Sequence, residues 1–400
     1  MEILHPFIDF GADCSMHPPQ HEIKFINEWY EKTEFDEDYD LVAISAFTKD
    51  AFRAYEIADE FRRRGIKVVL GGYHPTALPI EAKKHADAVV IGEAETTWQA
   101  LLKDAEKGSL KPYYYNRKAS NFPPAKRISS HPFFSAVQAT RGCPYRCQFC
   151  QLTGFRDNIY RKRDVKDVIN EISSLPTKIF WFRDASLTID TRYSKSLFKE
   201  MIRRKIKKRW IAFGNLAVLS RDEEFLRLAS KAGCIAWMVG LETVSQKTIN
   251  EEIKKGGNKI DRVSSMIDKA EREGMEIWAS FIFGFDNDDA EIFDTTYEKL
   301  NEWGIKVAEF NILTPFPKTP IFKKLLKERR IFTFDWSKYD LRHVVFEPKQ
   351  MEAKELEREV KRISRKFFSL DKILARSILS KHKILSFLAN YSIRTFIYGL

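Results

Sequence analysis

The 400-residue chain has only five cysteines, an odd number, which excludes a disulfide framework and points to a reducing, cytoplasmic compartment. No basic stretch and apolar run follow Met1, so no secretory signal is read. No uncharged apolar run reaches the roughly 18 residues a membrane-spanning helix needs. With 17 glycines, 15 prolines and 44% apolar residues, collagen-like, low-complexity and wholly disordered chains are excluded. What the chain does have is length, enough for two or three domains at about 100–200 residues each. It also has a net charge of +11, which permits nucleic acid, an anionic membrane surface or an acidic substrate and selects none of them. The short basic runs, Arg161-Lys162-Arg163 and Arg203 to Arg209, read as solvated helix faces.

The first hundred residues alternate apolar and amphipathic segments. Leu41–Ser45, Lys67–Gly71 and Ala88–Ile91 are short, rich in Val and Ile, and end at Ser or before Gly, as buried parallel strands do. Between the first two, Asp50–Arg64 carries Ala51, Tyr55, Ala58 and Phe61 on one helical face, with Gly65 at its end. This βαβ unit predicts a doubly wound sheet, which binds ligands at the carboxyl ends of its strands. Before Leu41 only Glu2–Phe10 reads as a strand, with little room for a second. Residues 103–131, with Gly108, Pro112, Tyr113–Tyr115 and Pro123-Pro124, break the pattern and read as a linker.

The alternation then resumes. Ser135–Ala139, Lys178–Arg183, Arg209–Phe213, Ile235–Leu241, Glu276–Phe283 and Lys306–Leu313 read as strands, separated by amphipathic helices. Such a succession predicts a parallel, barrel-like sheet with its chemistry at the carboxyl ends of the strands. From Met351 the chain turns basic and helical. Its last segment, Ile384–Leu400, reads as part of a packed helix pair or as a membrane-surface contact.

The strongest chemical signal is the loop Arg141-Gly142-Cys143-Pro144-Tyr145-Arg146-Cys147-Gln148-Phe149-Cys150. Three thiols spaced by three and then two residues can hold three corners of an iron–sulfur cube and leave one iron open. A structural zinc site would need a fourth ligand, from Cys14, Cys234 or one of the eight histidines, and no second cysteine pair exists.

This loop resembles that of the radical S-adenosylmethionine superfamily, and the six strands fit that family's partial barrel. The resemblance implies a [4Fe–4S] cluster on Cys143, Cys147 and Cys150, with S-adenosylmethionine on the open iron. It implies cofactor contacts at Asp184 after the second strand, at Gly240 and Glu242 in a Gly-x-Glu segment where Thr243 replaces a serine, and at Ile282 and Gly284 beside adenine. The usual Gly-Gly-Glu is absent before Asp184. Asp184 and Glu242 also admit a plainer reading as helix caps.

The N-terminal segments Gly71-Gly72-Tyr73-His74-Pro75 and Gly92-Glu93-Ala94-Glu95 are similar to the cobalamin-binding module of many such enzymes. They imply a cobalamin site at Ser45, Thr48, Gly71, Gly72, His74, Gly92, Glu93 and Glu95. No Asp-x-His-x-x-Gly run exists, so no histidine of that motif ligates cobalt. The expected organisation is a shortened Rossmann-like cobalamin-binding domain over 1–102, a linker over 103–131, a partial (β/α)6 barrel over 132–320 and a mostly helical extension over 321–400.

Hopanoid C-methylases are among the nearest members in pattern. The expected activity is therefore C-methylation of an unactivated carbon by a 5′-deoxyadenosyl radical and methylcobalamin. A cyclase, carbon–carbon coupling enzyme or dehydrogenase is the alternative. An electron carrier or RNA-binding protein is the non-enzymatic one, with Tyr113–Tyr115, Arg117 and Lys118 the only stretch suited to stacking bases. Expected partners are a small-molecule, lipid-like or peptide substrate, a reductase, flavodoxin or ferredoxin as electron donor, and the inner membrane face as a peripheral contact, with no nucleic acid. A tetrapyrrole would also fit as substrate.

Overall fold

The computed structural model describes residues 2–6 as backbone, and 20–28, 31–115, 122, 135–155, 159–253, 255 and 257–399. Cys14 and most of the segment between 116 and 134 lie outside the described residues.

The first sheet has six parallel strands: β1 (Glu2–Pro6), β2 (Glu22–Ile26), β3 (Leu41–Ser45), β4 (Lys67–Gly71), β5 (Ala88–Ile91) and β6 (Tyr113–Tyr115), in the order β2-β1-β3-β4-β5-β6. The strand order reverses between β1 and β3, where a doubly wound sheet opens its crevice. Two strands depart from expectation. β2 pairs with β1 from Glu2↔Glu22 to Pro6↔Ile26, in a stretch the sequence had seemed too short to supply. Tyr113–Tyr115, read as linker and as a candidate base-stacking stretch, pairs in parallel with β5 and ends the sheet. Tyr114 is buried there and donates to Asp104 over 2.8 Å.

β7 (Ser135–Val137) leads into a two-stranded hairpin, β8 (Thr140–Arg141) with β9 (Arg161–Lys162). Five further strands follow: β10 (Ile179–Phe182), β11 (Arg209–Gly214), β12 (Cys234–Glu242), β13 (Glu276–Phe283) and β14 (Val307–Ile312). With β7 they form one all-parallel sheet in chain order, β7-β10-β11-β12-β13-β14. Three of the helices between them start at side-chain caps: Asp164 accepts from Lys166 N, Asp190 from Tyr193 N and Asp222 from Phe225 N. Each cap satisfies an end donor that the helix leaves free.

Alternate side chains of these strands face the helices. There Phe182, Phe198, Phe225, Trp210 and Trp237 interlock at centroid distances of 5.2 to 5.5 Å. Trp210 and Trp237 are fully buried and anchor that side of the core.

The sheet does not close between β7 and β14, and the C-terminal extension covers the β14 edge. Tyr398 OH accepts from Phe310 N over 2.7 Å and donates to Phe310 O over 3.0 Å, while Ile312 N donates to Leu341 O. Among the described residues beyond Met351 three α-helices follow, Ala353–Phe367, Leu370–Leu379 and Lys383–Ser392, of which the last two pack against each other as a pair. Among the described residues no helix is long and apolar enough to cross a membrane.

Candidate functional site at the junction of the two sheets

The thiol loop leaves β8 through Gly142, whose φ of +83° suits glycine; a Cβ there would lie 2.2 Å from the Ile159 carbonyl oxygen. Inside the loop Cys150 N donates to Cys147 O (3.2 Å), Thr153 Oγ1 donates to Cys147 O (3.0 Å), and Ile321 N donates to Gln148 O (3.0 Å). Phe149, just before the last cysteine, meets Phe285 edge-on at 6.3 Å. Burial raises all three thiols, Cys147 to about 12, so on their own they stay protonated. Thiolates form here only with a metal's positive charge beside them. Among the described residues no three His, Cys, Asp or Glu side chains converge on a single-ion point. Thiols placed around a cube sit on separate iron atoms, so the loop suits a cluster better than one zinc ion.

The Gly-x-Glu segment has a structural cause. The β12–β13 register shifts between Gly240 and Glu242, and Glu242 takes φ +70°. This bulge re-aims the side chain. A Cβ on residue 240 would lie 2.2 Å from Glu242 Oε1, so glycine leaves the carboxylate room to fold back. There it receives Lys255 Nζ at 2.8 Å, and the same ammonium donates to Gly240 O at 2.7 Å. Burial opposes the Lys255 charge, but the Glu242 carboxylate beside it outweighs that and holds the ammonium above its ordinary value. Lys255 was not identified from sequence. Its only signal there is a lysine placed before two glycines, and it lies thirteen residues beyond the strand end at Glu242.

Asp184 is almost wholly buried and turns to the root of the loop. It accepts from the backbone and hydroxyl of Thr140, the latter at 2.6 Å, and from Ala139 N at 3.3 Å. Its carboxyl is thus occupied in holding the chain that carries Cys143. Gly284 takes φ +106°, and a Cβ there would lie 2.7 Å from Leu356 Cδ2, so it makes room for the extension. Ile282 is packed in the core.

On the first sheet, Ser45, Gly71, Gly72 and Gly92 form the rim at the ends of β3, β4 and β5. A Cβ on Gly72 would collide with Ser45 Oγ and Ala46, whereas one on Gly71 would meet only Val90 Cβ at 3.7 Å. Glycine at 72 thus lets the end of β4 pass close against Ser45 and Ala46, and no side chain rises from residues 71, 72 or 92 where a bulky group would lie across the strand ends. Thr48 lies buried below the rim.

Three other residues expected there have different partners. His74 is fully buried, with Nε2 3.2 Å from Glu81 Oε1, an oxygen that also accepts from Tyr55 OH and from Trp336 Nε1 of the extension. Glu93 pairs with Arg161 over 2.7 Å and Glu95 with Arg141. These two arginines flank the hairpin that opens the thiol loop, and Arg141 lies over the Phe122 ring at 4.4 Å. Tyr73 stacks on Phe47 and meets Phe155, just past the thiol loop, both at 5.4 Å. Lys318 Nζ, from the loop after β14, donates to Thr76 O over 2.8 Å.

A thiol loop and a glycine rim thus face one another across the carboxyl ends of two parallel sheets, which defines an enzyme built around two reactive cofactors. Residues 137–300 match the Radical SAM superfamily and residues 27–102 match the B12 binding domain. The bacteriochlorophyllide d C-8(2)-methyltransferase of Chlorobaculum tepidum is 30% identical over 96% of this chain and 90% of its own length. The anaerobic magnesium-protoporphyrin IX monomethyl ester cyclase of Rubrivivax gelatinosus is 27% identical over 82% of this chain and 66% of its own. The solved structure of OxsB, a cobalamin-dependent S-adenosylmethionine radical enzyme with aqua-cobalamin and S-adenosylmethionine bound, shares the fold, with a TM-score of 0.69 at 13% identity over 100% of this chain and 73% of its own. The chain belongs to the cobalamin-binding radical S-adenosylmethionine enzymes, of the methyltransferase kind.

Proposed function

We propose that this enzyme adds a methyl group to an unactivated carbon on a flat, conjugated ring substrate of the tetrapyrrole class. The carrying observation is the bare glycine rim set against the thiol loop, held there by the Arg141–Glu95 and Arg161–Glu93 pairs. Support for the ring comes from the names of the two relatives above and from the aromatic inner face of the barrel, where Trp181 meets Phe213 at 5.6 Å.

When bound, the cluster and S-adenosylmethionine supply a carbon-centred radical, and methylcobalamin supplies the methyl group. The chain's residues provide placement. Cys143, Cys147 and Cys150 hold the cluster, with Asp184 fixing the root of their loop. Lys255 would offer its ammonium to the nucleotide's carboxylate, and Glu242, which now pairs with it, would offer its carboxylate to the amino group. Ser45, Gly71, Gly72 and Gly92 carry the cobalamin face. The reducing electron comes from a flavodoxin- or ferredoxin-type donor.

The test is product analysis of anaerobically reconstituted enzyme given reductant, S-adenosylmethionine, hydroxocobalamin and bacteriochlorophyllide d. Formation of 5′-deoxyadenosine, S-adenosylhomocysteine and a product heavier by one CH2 unit supports methyl transfer. Formation of 5′-deoxyadenosine alone, with substrate consumed, rejects it in favour of a ring closure, the second reading, which the similarity to a cyclase favours.

Peripheral membrane contact would use the hairpin of the last two helices. Ile378, Leu379 and Ile384 are exposed there beside Lys381 and Lys383 and suit an anionic bilayer. Serine at those three apolar positions should abolish co-sedimentation with phosphatidylglycerol vesicles. Unchanged co-sedimentation would remove this contact.

A further inference from the structure

Strand alternation sorts the barrel's side chains into two sets. On β14, Ala308, Phe310 and Ile312 join the core under the helices, so Val307, Glu309 and Asn311 face the other way, into the barrel. On β13, Ile277, Ala279, Phe281 and Phe283 join that core, with Ile282 added near the strand's end, while Trp278 and Ser280 stay outside it and face inward. The same rule sends Trp181, Phe213 and Met238 inward. The base of this inner face is closed by Ile211, Ile235 and Ala236, with Leu385 of the extension packed against them.

Above that apolar base, Ser280, Asn311 and Glu309 form a polar island. Asn311 Nδ2 donates to Ser280 Oγ over 3.1 Å, and Asn311 Oδ1 accepts from Arg342 Nη1 over 3.2 Å. Asn311 also bonds to Glu309. Arg342, from the extension, spends its other contacts on Phe310 O at 2.7 Å and on the Tyr398 ring at 4.6 Å. The ladder runs Gly240↔Ser280↔Glu309, so this acid lies on the same row as the carbonyl that receives Lys255. The Trp181 indole N–H, also on the inner face, has no partner among the described residues. Neither β13 nor β14 needs an acid or a free indole N–H here for its own pairing.

We infer that Glu309, aligned by Asn311 and Arg342, contacts the substrate and holds an oxygen of its ring system, a carbonyl or ester group, while Trp181, Phe213 and Trp278 take its flat face. This rests on the ring-substrate reading above. Burial pushes the Glu309 carboxyl above its ordinary value, and Arg342 and Asn311 only partly offset that, so lowering the pH favours the protonated form that can donate a hydrogen bond to a substrate oxygen. The ionisable groups facing it are Arg342 and Tyr398, both from the extension. The contact sets which ring carbon is presented to the radical, and small misplacements in such alignments cost rate steeply.

The test is visible-absorption titration of the reconstituted full-length enzyme with two probes, bacteriochlorophyllide d and magnesium-protoporphyrin IX monomethyl ester, from acid to neutral pH. Wild type should bind at least one, and its affinity should fall as pH rises through the raised Glu309 titration. E309Q, which still donates, should bind within about threefold and lose that pH dependence; E309A should bind about fivefold or more weakly. E309A should also release more 5′-deoxyadenosine per methylated product. If wild type binds neither probe, the ring-substrate reading and this inference fall together. If it binds, and E309Q keeps the pH dependence or a folded E309A binds as wild type does, this inference alone falls. Should E309A not fold, the E309Q pH profile decides.

Discussion

Replacing Asp184 with alanine removes the one acceptor on which three donors at the root of the thiol loop converge: Ala139 N–H, Thr140 N–H and the Thr140 hydroxyl. Ala139 and Thr140 are fully buried and Asp184 is 1% exposed, so water cannot replace the carboxylate. The hydroxyl can rotate to another acceptor, but the two backbone donors cannot. At about 1–3 kcal/mol for each buried donor left unpaired, D184A should lose about 2–6 kcal/mol. That is a large part of the roughly 5–15 kcal/mol that holds a domain folded. D184N keeps one oxygen for Thr140 and presents an amide to Ala139 N, so about 1–3 kcal/mol should be lost.

The pH dependence has a definite sign. Burial raises the Asp184 carboxyl from 3.8 to about 6, outweighing the Thr140 and Ala139 hydrogen bonds, so folding favours the protonated form. The associated stability, about 3 kcal/mol, is fully present below about pH 4 and is lost as pH rises through about 6. D184N should flatten that limb. Anaerobic urea unfolding across this pH range, with iron and sulfide assayed per chain, measures both effects. If D184A unfolds at the wild-type midpoint and keeps its iron while losing S-adenosylmethionine affinity, Asp184 is a cofactor ligand and the positioning argument fails.

Four further outcomes follow from the same geometry. K255M leaves the Glu242 carboxylate buried without its cation, which should cost about 3–5 kcal/mol and weaken S-adenosylmethionine binding in equilibrium dialysis. In G240A the new Cβ takes the space of Glu242 Oε1, so nucleotide cleavage should fall by about tenfold or more while iron content stays near wild type, read by 5′-deoxyadenosine release. R161A opens the pair with Glu93, and the protein should lose bound cobalamin faster on gel filtration with its iron unchanged. W210A opens a cavity among Phe182, Phe198 and Trp237 and should destabilise the barrel by about 3–5 kcal/mol in denaturant titration.

The core strands were readable because continuous Val and Ile runs, as in Lys67–Gly71 and Ala88–Ile91, mark strands buried on both faces. β2 was not, because Glu22-Ile23-Lys24-Phe25-Ile26 alternates as an edge strand does and resembles half-exposed chain. Tyr113–Tyr115 sits at the opposite edge, between turn residues that signal a linker equally well. The thiol trio and the Gly-x-Glu pattern were visible because both ligand sets are local in the chain. Glu93 and Glu95 were assigned to a cofactor rim from their neighbour Gly92, but their arginines come from 46 and 68 residues further on, a distance no local pattern spans. The Glu81 contact of His74 was illegible for the same reason, since Trp336, which shares that partner, lies in the extension.

The contacts that join the two sheets fall into two groups, and their placement says what the extension does. One group is electrostatic and borders the thiol loop: Arg141 with Glu95 and Arg161 with Glu93. The other comes from beyond β14, where Lys318 reaches Thr76 and Trp336 reaches Glu81, packing its ring against His74 at 5.2 Å. The junction of the two sheets is therefore bordered on one side by ion pairs, which water can solvate when they part, and on another by a buried aromatic anchor, which it cannot. Parting a contact is therefore cheaper at the ion pairs than at Trp336. The same extension supplies Tyr398 to the β14 edge and Leu385 to the barrel base. Cutting the chain after the barrel strands would expose the β14 edge and remove the Trp336 contacts with Glu81 and His74 at once, so the extension is part of the site's architecture rather than an appendage to it.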